Sequence, residues 1–178
     1  MSDHQKNGQA KKGSATKGQM LVLTRVVKAP RELVWKAWTD PVKFAQWWGP
    51  KHFTNPLCRL DVRAGGEIMV HMKGPEGSPW EGPMPMGGAF LEIVPPERLV
   101  FTTRAFPDGM GDWKLENRNE VTFTEKDGLP AGQAGITELV LRVTVLKYSP
   151  EIAQALSGME EGWSQSLDKL ESLIRTGK

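Results

Sequence analysis

Residues 149–176 read SPEIAQALSGMEEGWSQSLDKLESLIRT, and their spacing decides the fold. Ser149 and Pro150 form a helix-start signal, a small polar N-cap followed by proline at the first helical position. Ile152, Leu156, Met159, Trp163, Leu167, Leu170 and Ile174 then follow at steps of 4, 3, 4, 4, 3 and 4. A mean step near 3.6 lays one apolar stripe along a long helix. Gly158 and Gly162 lie inside the pattern, and each costs roughly 1 kcal/mol of helix propensity. The helix therefore kinks there, starts late, or brings its backbone close to a neighbour.

The surface that this stripe covers lies upstream. Residues 137–146 alternate, with Leu139, Leu141, Val143 and Val145 on one face. Such alternation over a β-branched run marks a strand with one buried face. Further strands are predicted over 21–28, 57–63, 67–73, 88–94, 98–104 and 120–125. Gly65-Gly66 joins two of them as a hairpin turn. Between the first two strands, Ala29-Pro30 and Asp40-Pro41 are successive helix starts for two short helices carrying Leu33, Val34, Ala37, Trp38, Phe44, Trp47 and Trp48. The order is one strand, two short helices, six strands and one long helix. It predicts an α+β fold: a curved seven-stranded antiparallel sheet around the C-terminal helix, with the short helices covering an edge. One straight cylinder does not fill a curved sheet, so a hollow is expected between them.

The chain has 178 residues, 39% hydrophobic and 25% charged, which suits one globular domain over 20–176. Residues 1–19 hold little to bury and read as a disordered polar tail. Lys6, Lys11, Lys12 and Lys17 against Asp3 give residues 1–20 a charge of +3, so a net of +2 leaves the remainder near −1. A nucleic-acid-binding face is not expected from so neutral a body. One cysteine, Cys58, excludes an internal disulfide. No apolar run suggests membrane insertion, and the N-terminus has no secretory h-region. A cytoplasmic location is the expectation.

Several segments together resemble a known family. They are Ala29-Pro30-Arg31-Glu32-Leu33-Val34-Trp35-Lys36-Ala37-Trp38-Thr39-Asp40-Pro41, Trp47-Trp48-Gly49-Pro50, Asp61-Val62-Arg63-Ala64-Gly65-Gly66, residues 92–102, and Gly162-Trp163 through Leu170. In order, they resemble the branch of the START-like (SRPBCC) superfamily named after the activator of the ninety-kilodalton heat-shock protein ATPase. The resemblance covers about residues 21–175. It implies the helix-grip fold. Related domains bind lipids, steroids and plant hormones, and some act as polyketide cyclases or aromatases. Fold does not fix function, so binding, catalysis and a chaperone interaction all stay open. No cofactor is expected.

For an apolar ligand, the expected walls are Ile68, Val70, Phe90 or Leu91, Phe101, Leu141, Val143, Trp163 and Leu167. Trp48, Phe53, Trp80 and Met86 are expected near the mouth. The segments 74–88 and 105–119 read as long connections, either lids or plain irregular hairpins. Trp35 and Trp38 read as packing residues. His71, Glu92 and Arg104 are the polar candidates. Glu92 serves as acid or base if it faces inward with a partner, and otherwise forms a surface ion pair. The three histidines and lone cysteine offer no metal-ligand spacing. An apolar small molecule is the expected partner, with a homodimer also open.

Overall fold

The computed structural model describes residues 17–126 and 135–177. Residues 1–16 of the expected tail, and most of the loop before the last strand, lie outside the described residues. The element order is β1 (Met20–Val27), α1 (Arg31–Thr39), α2 (Pro41–Trp47), β2 (Thr54–Leu60), β3 (Glu67–Lys73), β4 (Pro83–Val94), β5 (Arg98–Pro107), β6 (Trp113–Lys126) and β7 (Ile136–Tyr148). A 3-10 turn (Pro150–Ile152) and two helices, α3 (Ala153–Ser157) and α4 (Met159–Thr176), close the chain. The strands form one antiparallel sheet in the order β1-β7-β6-β5-β4-β3-β2. This is the helix-grip.

Local chemistry explains the elements. The Asp40 side chain accepts from the Val42 and Lys43 amides at 2.8 and 3.3 Å, capping α2 ahead of Pro41. The sheet bends where β4 and β5 lose register between Phe90 and Glu92. A Cβ on Gly88 would stand 2.0 Å from the Thr102 carbonyl oxygen, so glycine alone allows that approach. Beside it the Ala89 amide donates to the Thr102 hydroxyl at 3.1 Å.

One expectation changes, and among the alternatives left open for the final helix a late start is the one seen. The connections over 74–88 and 105–119 shrink, because β4 pairs from Pro83 with Lys73 and β6 pairs from Trp113 with Pro107. Pro83, Pro85 and Pro107 are paired in these strands, because proline removes only its own donor and the neighbouring ladder survives. The final helix is also not continuous. It breaks at Gly158, which has φ −92° and ψ 0°, and α4 starts one residue later.

Helix α4 is tied along both sides. From β1, the Arg25 guanidinium donates to the Ser164 hydroxyl at 2.8 Å and pairs with Asp168 and Glu171 at 3.3 and 3.2 Å. On the other side the Lys169 ammonium reaches the carbonyls of Trp48, Gly49, Pro50 and Phe53 at 3.1–3.4 Å. Burial pushes the Lys169 ammonium below the ordinary lysine range.

The short helices do more than cover an edge. They drive Trp38, Phe44, Trp47 and Trp48 between the sheet and α4, all buried. The Trp38 and Trp47 rings lie 4.6 Å apart, and Trp38 meets Phe101 and Phe123 at 6.2 and 6.1 Å. The Trp47 indole donates to the Ala37 carbonyl at 2.7 Å. The middle of the sheet–helix space is therefore filled by aromatic rings, and the expected hollow is confined to one end.

Candidate functional site

The inner face of the sheet changes character along its strands. In the middle it presents Leu99, Phe101, Leu139 and Leu141, all within 2% of full burial. Towards the far end of β5 the inward residues become Thr103 and Ala105, opposite Asn117 and Leu115 of β6. Met72 and Met86 approach from β3 and β4. The helix break supplies Gly158, Met159 and Gly162. These residues are smaller or more pliable than the rings they replace, and they leave a cavity of about 220 Å³.

Trp48 and Trp163 form its floor, edge to face with ring centres 5.0 Å apart. The Trp48 ring is stacked on Phe44 at 4.6 Å. Gly49, with φ +89°, turns the chain after α2, and Pro50 completes that wall. Lys169 pins this turn through four carbonyls that share its three protons. On the opposite wall Phe106 has φ +59°, a strained backbone for a bulky residue. It sits between the last two ladder pairs of β5 and β6.

The cavity lies at the seam of two apolar clusters. The larger is the packed body described above. In the smaller only Val145, Ile152 and Leu156 are buried, with Phe106, Leu115, Tyr148, Ala155 and Met159 partly covered around them. Met159 packs against both clusters.

Besides the indoles of Trp48 and Trp163, three side chains bring hydrogen-bonding groups to the lining, Thr103, Asn117 and Ser166, and all three are buried. The Ser166 hydroxyl donates to the Gly162 carbonyl at 2.9 Å. The Thr103 hydroxyl accepts from Asn119 Nδ2 at 3.1 Å. Asn117 Nδ2 reaches the Met159 sulfur at 3.8 Å, and Asn117 Oδ1 has no partner. None of the lining residues is ionisable. A larger groove of about 640 Å³ runs between β1 and the start of α4, but Met20 and Val22 stand half exposed in it and Glu160 and Glu161 border it. Among the described residues no group of three His, Cys, Asp or Glu side chains is placed to hold a metal.

Of the residues that the sequence singles out for a ligand, Trp48, Met86 and Trp163 line the cavity. Ile68, Val70, Phe90, Phe101, Leu141, Val143 and Leu167 are buried in the packed body and stand apart from the lining. Phe53 is half-buried beyond Pro50, with its carbonyl on Lys169. Trp80 is 42% exposed and stands outside the lining, its ring centre 6.3 Å from that of Phe106. Leu91 is half exposed. Glu92 is exposed and pairs with Arg98 at 3.6 Å. Arg98 also pairs with Glu120, which two further arginines, Arg118 and Arg142, approach. His71 alternates away from Val70 and Met72, and Arg104 pairs with Glu116 at 3.5 Å on the surface. The sequence reading did not name Met72, Thr103, Phe106, Leu115, Asn117, Leu156 or Met159 as ligand contacts. Leu156 and Met159 belong to the helical stripe flanking Gly158, which was the one available signal.

A bent sheet, a gripping helix and an apolar hollow under the helix break define a helix-grip protein of START-like architecture. The family model described as "Activator of Hsp90 ATPase homolog 1-like protein" matches residues 28–175, and the chain belongs to that family. Solved structures agree in fold. A protein from Silicibacter pomeroyi that bears the same family name is 24% identical, with TM-score 0.69, covering 90% of this chain and all of its own. A protein from Arthrobacter aurescens is 20% identical with TM-score 0.71, covering 89% of this chain and 87% of its own. One from Nitrosomonas europaea is 24% identical with TM-score 0.67, covering 89% and 96%. No protein of curated function matches the chain. The family fits a ligand-binding or chaperone-activator-like module. Among the described residues no helix is long and apolar enough to cross a membrane.

Proposed function

We infer that the chain binds one small apolar molecule in the cavity between the open end of the sheet and the α3–α4 break. The observation that carries this reading is the hollow itself, about 220 Å³ and walled mainly by Trp48, Met72, Met86, Phe106, Met159 and Trp163. Its size sets the class of ligand. An engineered cavity of roughly 150 Å³ takes up benzene, whereas pockets for drug-sized ligands run to roughly 300–1,000 Å³. A single ring or a short branched chain fits. A steroid overfills the space unless α3, which carries Ala155 and Leu156 of the wall, moves.

Binding is favoured over a cyclase or hydrolase because acid–base work needs an ionisable group in reach. The lining has none, and Glu92 and His71 point elsewhere. The family description favours one second reading, docking to a heat-shock ATPase. Co-purification with that ATPase and a change in its turnover would support it.

The test is a titration of the native protein and of Ala105→Phe with single-ring aromatics, short-chain alcohols, fatty acids, flavonoids and steroids, read by tryptophan emission. Ala105 lines the cavity, so a phenyl ring there occupies it. Small members should quench the native protein and lose their effect in the variant. Silence from the whole panel, or an identical response from both proteins, would overturn the reading.

A further inference from the structure

We propose that the cavity selects a small apolar molecule carrying one hydroxyl group, seated against the Asn117–Thr103 pair; this rests on the cavity being the binding site. Asn117 and Thr103 are directly paired across β6 and β5, which puts their side chains roughly 4.5–5.5 Å apart at Cβ on one face. Both line the cavity, at 5% and 6% exposure. A buried amide ordinarily has its donors and its acceptor engaged. Here Oδ1 has no partner, and Nδ2 has the thioether of Met159 at 3.8 Å, a weak acceptor. The strongest polar group in an apolar chamber is thus nearly unused.

Thr103 narrows the choice of chemistry. Its oxygen already accepts from Asn119 Nδ2, and its hydroxyl proton stays available to donate. Oδ1 is itself covered, so a ligand atom lying over the pair meets the Thr103 hydroxyl and reaches the amide oxygen when the amide turns. Rotation of the amide about χ2 exchanges its two ends. A hydroxyl, which both donates and accepts, satisfies either arrangement. A carboxylate does not suit the site, because none of the lining residues is cationic. A plain hydrocarbon leaves the amide desolvated and unpaired, and a site built to bond a hydroxyl discriminates against the analogue lacking it.

The experiment compares p-cresol with p-xylene, two rings of the same shape that differ by hydroxyl for methyl. Affinities are measured by calorimetry for the native protein and for Asn117→Leu, which keeps the side-chain volume and removes the amide. The ratio of p-cresol to p-xylene affinity should fall about tenfold in the variant, a comparison in which the ligands' own hydration cancels. Both ligands binding with an unchanged ratio would overturn the hydroxyl selectivity and leave cavity binding intact. Neither ligand binding the native protein would overturn both. If Asn117→Leu does not fold, the native protein decides by NMR. p-Cresol should move the Asn117 side-chain carbonyl and amide resonances well beyond any shift caused by p-xylene, and equal shifts would defeat the proposal.

Discussion

The two ends of one sheet–helix interface contrast in what fills them. At the packed end the space between β5–β7 and α4 takes Trp38, Trp47, Phe101 and Phe123, all at most 2% exposed. At the other end the same strands present Thr103, Ala105 and Asn117, and the helix presents Gly158 and Gly162. The backbone architecture is continuous across both. A helix-grip therefore does not produce a cavity by shape alone. The hollow exists where the filling side chains stop and the helix breaks. The packed end supplies rigidity, and the open end supplies room.

That contrast predicts unequal responses to truncation. Trp47→Ala removes a fully buried ring and the indole donor of the Ala37 carbonyl. It should cost about 3–5 kcal/mol, as large aromatic deletions in tight cores do. Leu156→Ala in the small cluster should cost only about 2 kcal/mol, the low end for leucine, because the wall already borders free space and can relax. Urea denaturation of both variants measures this. Equal costs would mean that the open end is packed as tightly as the body.

The sequence resolved these two ends unequally. The strand alternation, the Asp40-Pro41 cap and the helical stripe are local patterns, so the element order could be read from them. Cys58 and Ile68, Val70 and Leu141 share the inner face as their alternation requires. Which inner residues border the cavity is not a local property. Val143 and Thr103 both point inward, yet the first lies under packed side chains and the second faces the hollow. The difference arises because α1 and α2 insert tryptophans over one half of the sheet. Asn117 was passed over because it lay in a stretch read as a loop, where an asparagine has no assigned face. Gly158 was visible as an anomaly in the helix, and its consequence, a cavity wall, needed the third dimension.

A smaller effect tests the open end from the helix side. Gly162 is inside α4, and a Cβ there would lie 3.6 Å from Pro50 Cγ, an ordinary contact. Gly162→Ala should therefore stabilise the fold by about 0.5–1 kcal/mol through helix propensity. The same methyl intrudes on the cavity, so small-ring affinity should fall as thermal stability rises. A variant gaining stability without losing affinity would place the ligand away from α4.

A last test probes the packed end at its edge. Cys58 lies on β2, an edge strand, half-buried against the main cluster. Burial raises its thiol from 9.0 to about 11. The thiolate is the reactive form, so near pH 8 alkylation of the native protein should be on the order of a hundredfold slower than that of the unfolded chain. The sign follows from linkage: a raised acid favours the fold while protonated. That contribution is complete below the unfolded value and is lost as pH climbs through about 11. Native labelling should accelerate over the same range, and the stability loss there should be reduced in Cys58→Ala. Fast labelling at pH 8 would mean that β2 opens locally, and the rigidity assigned to the packed end would then stop short of its outermost strand.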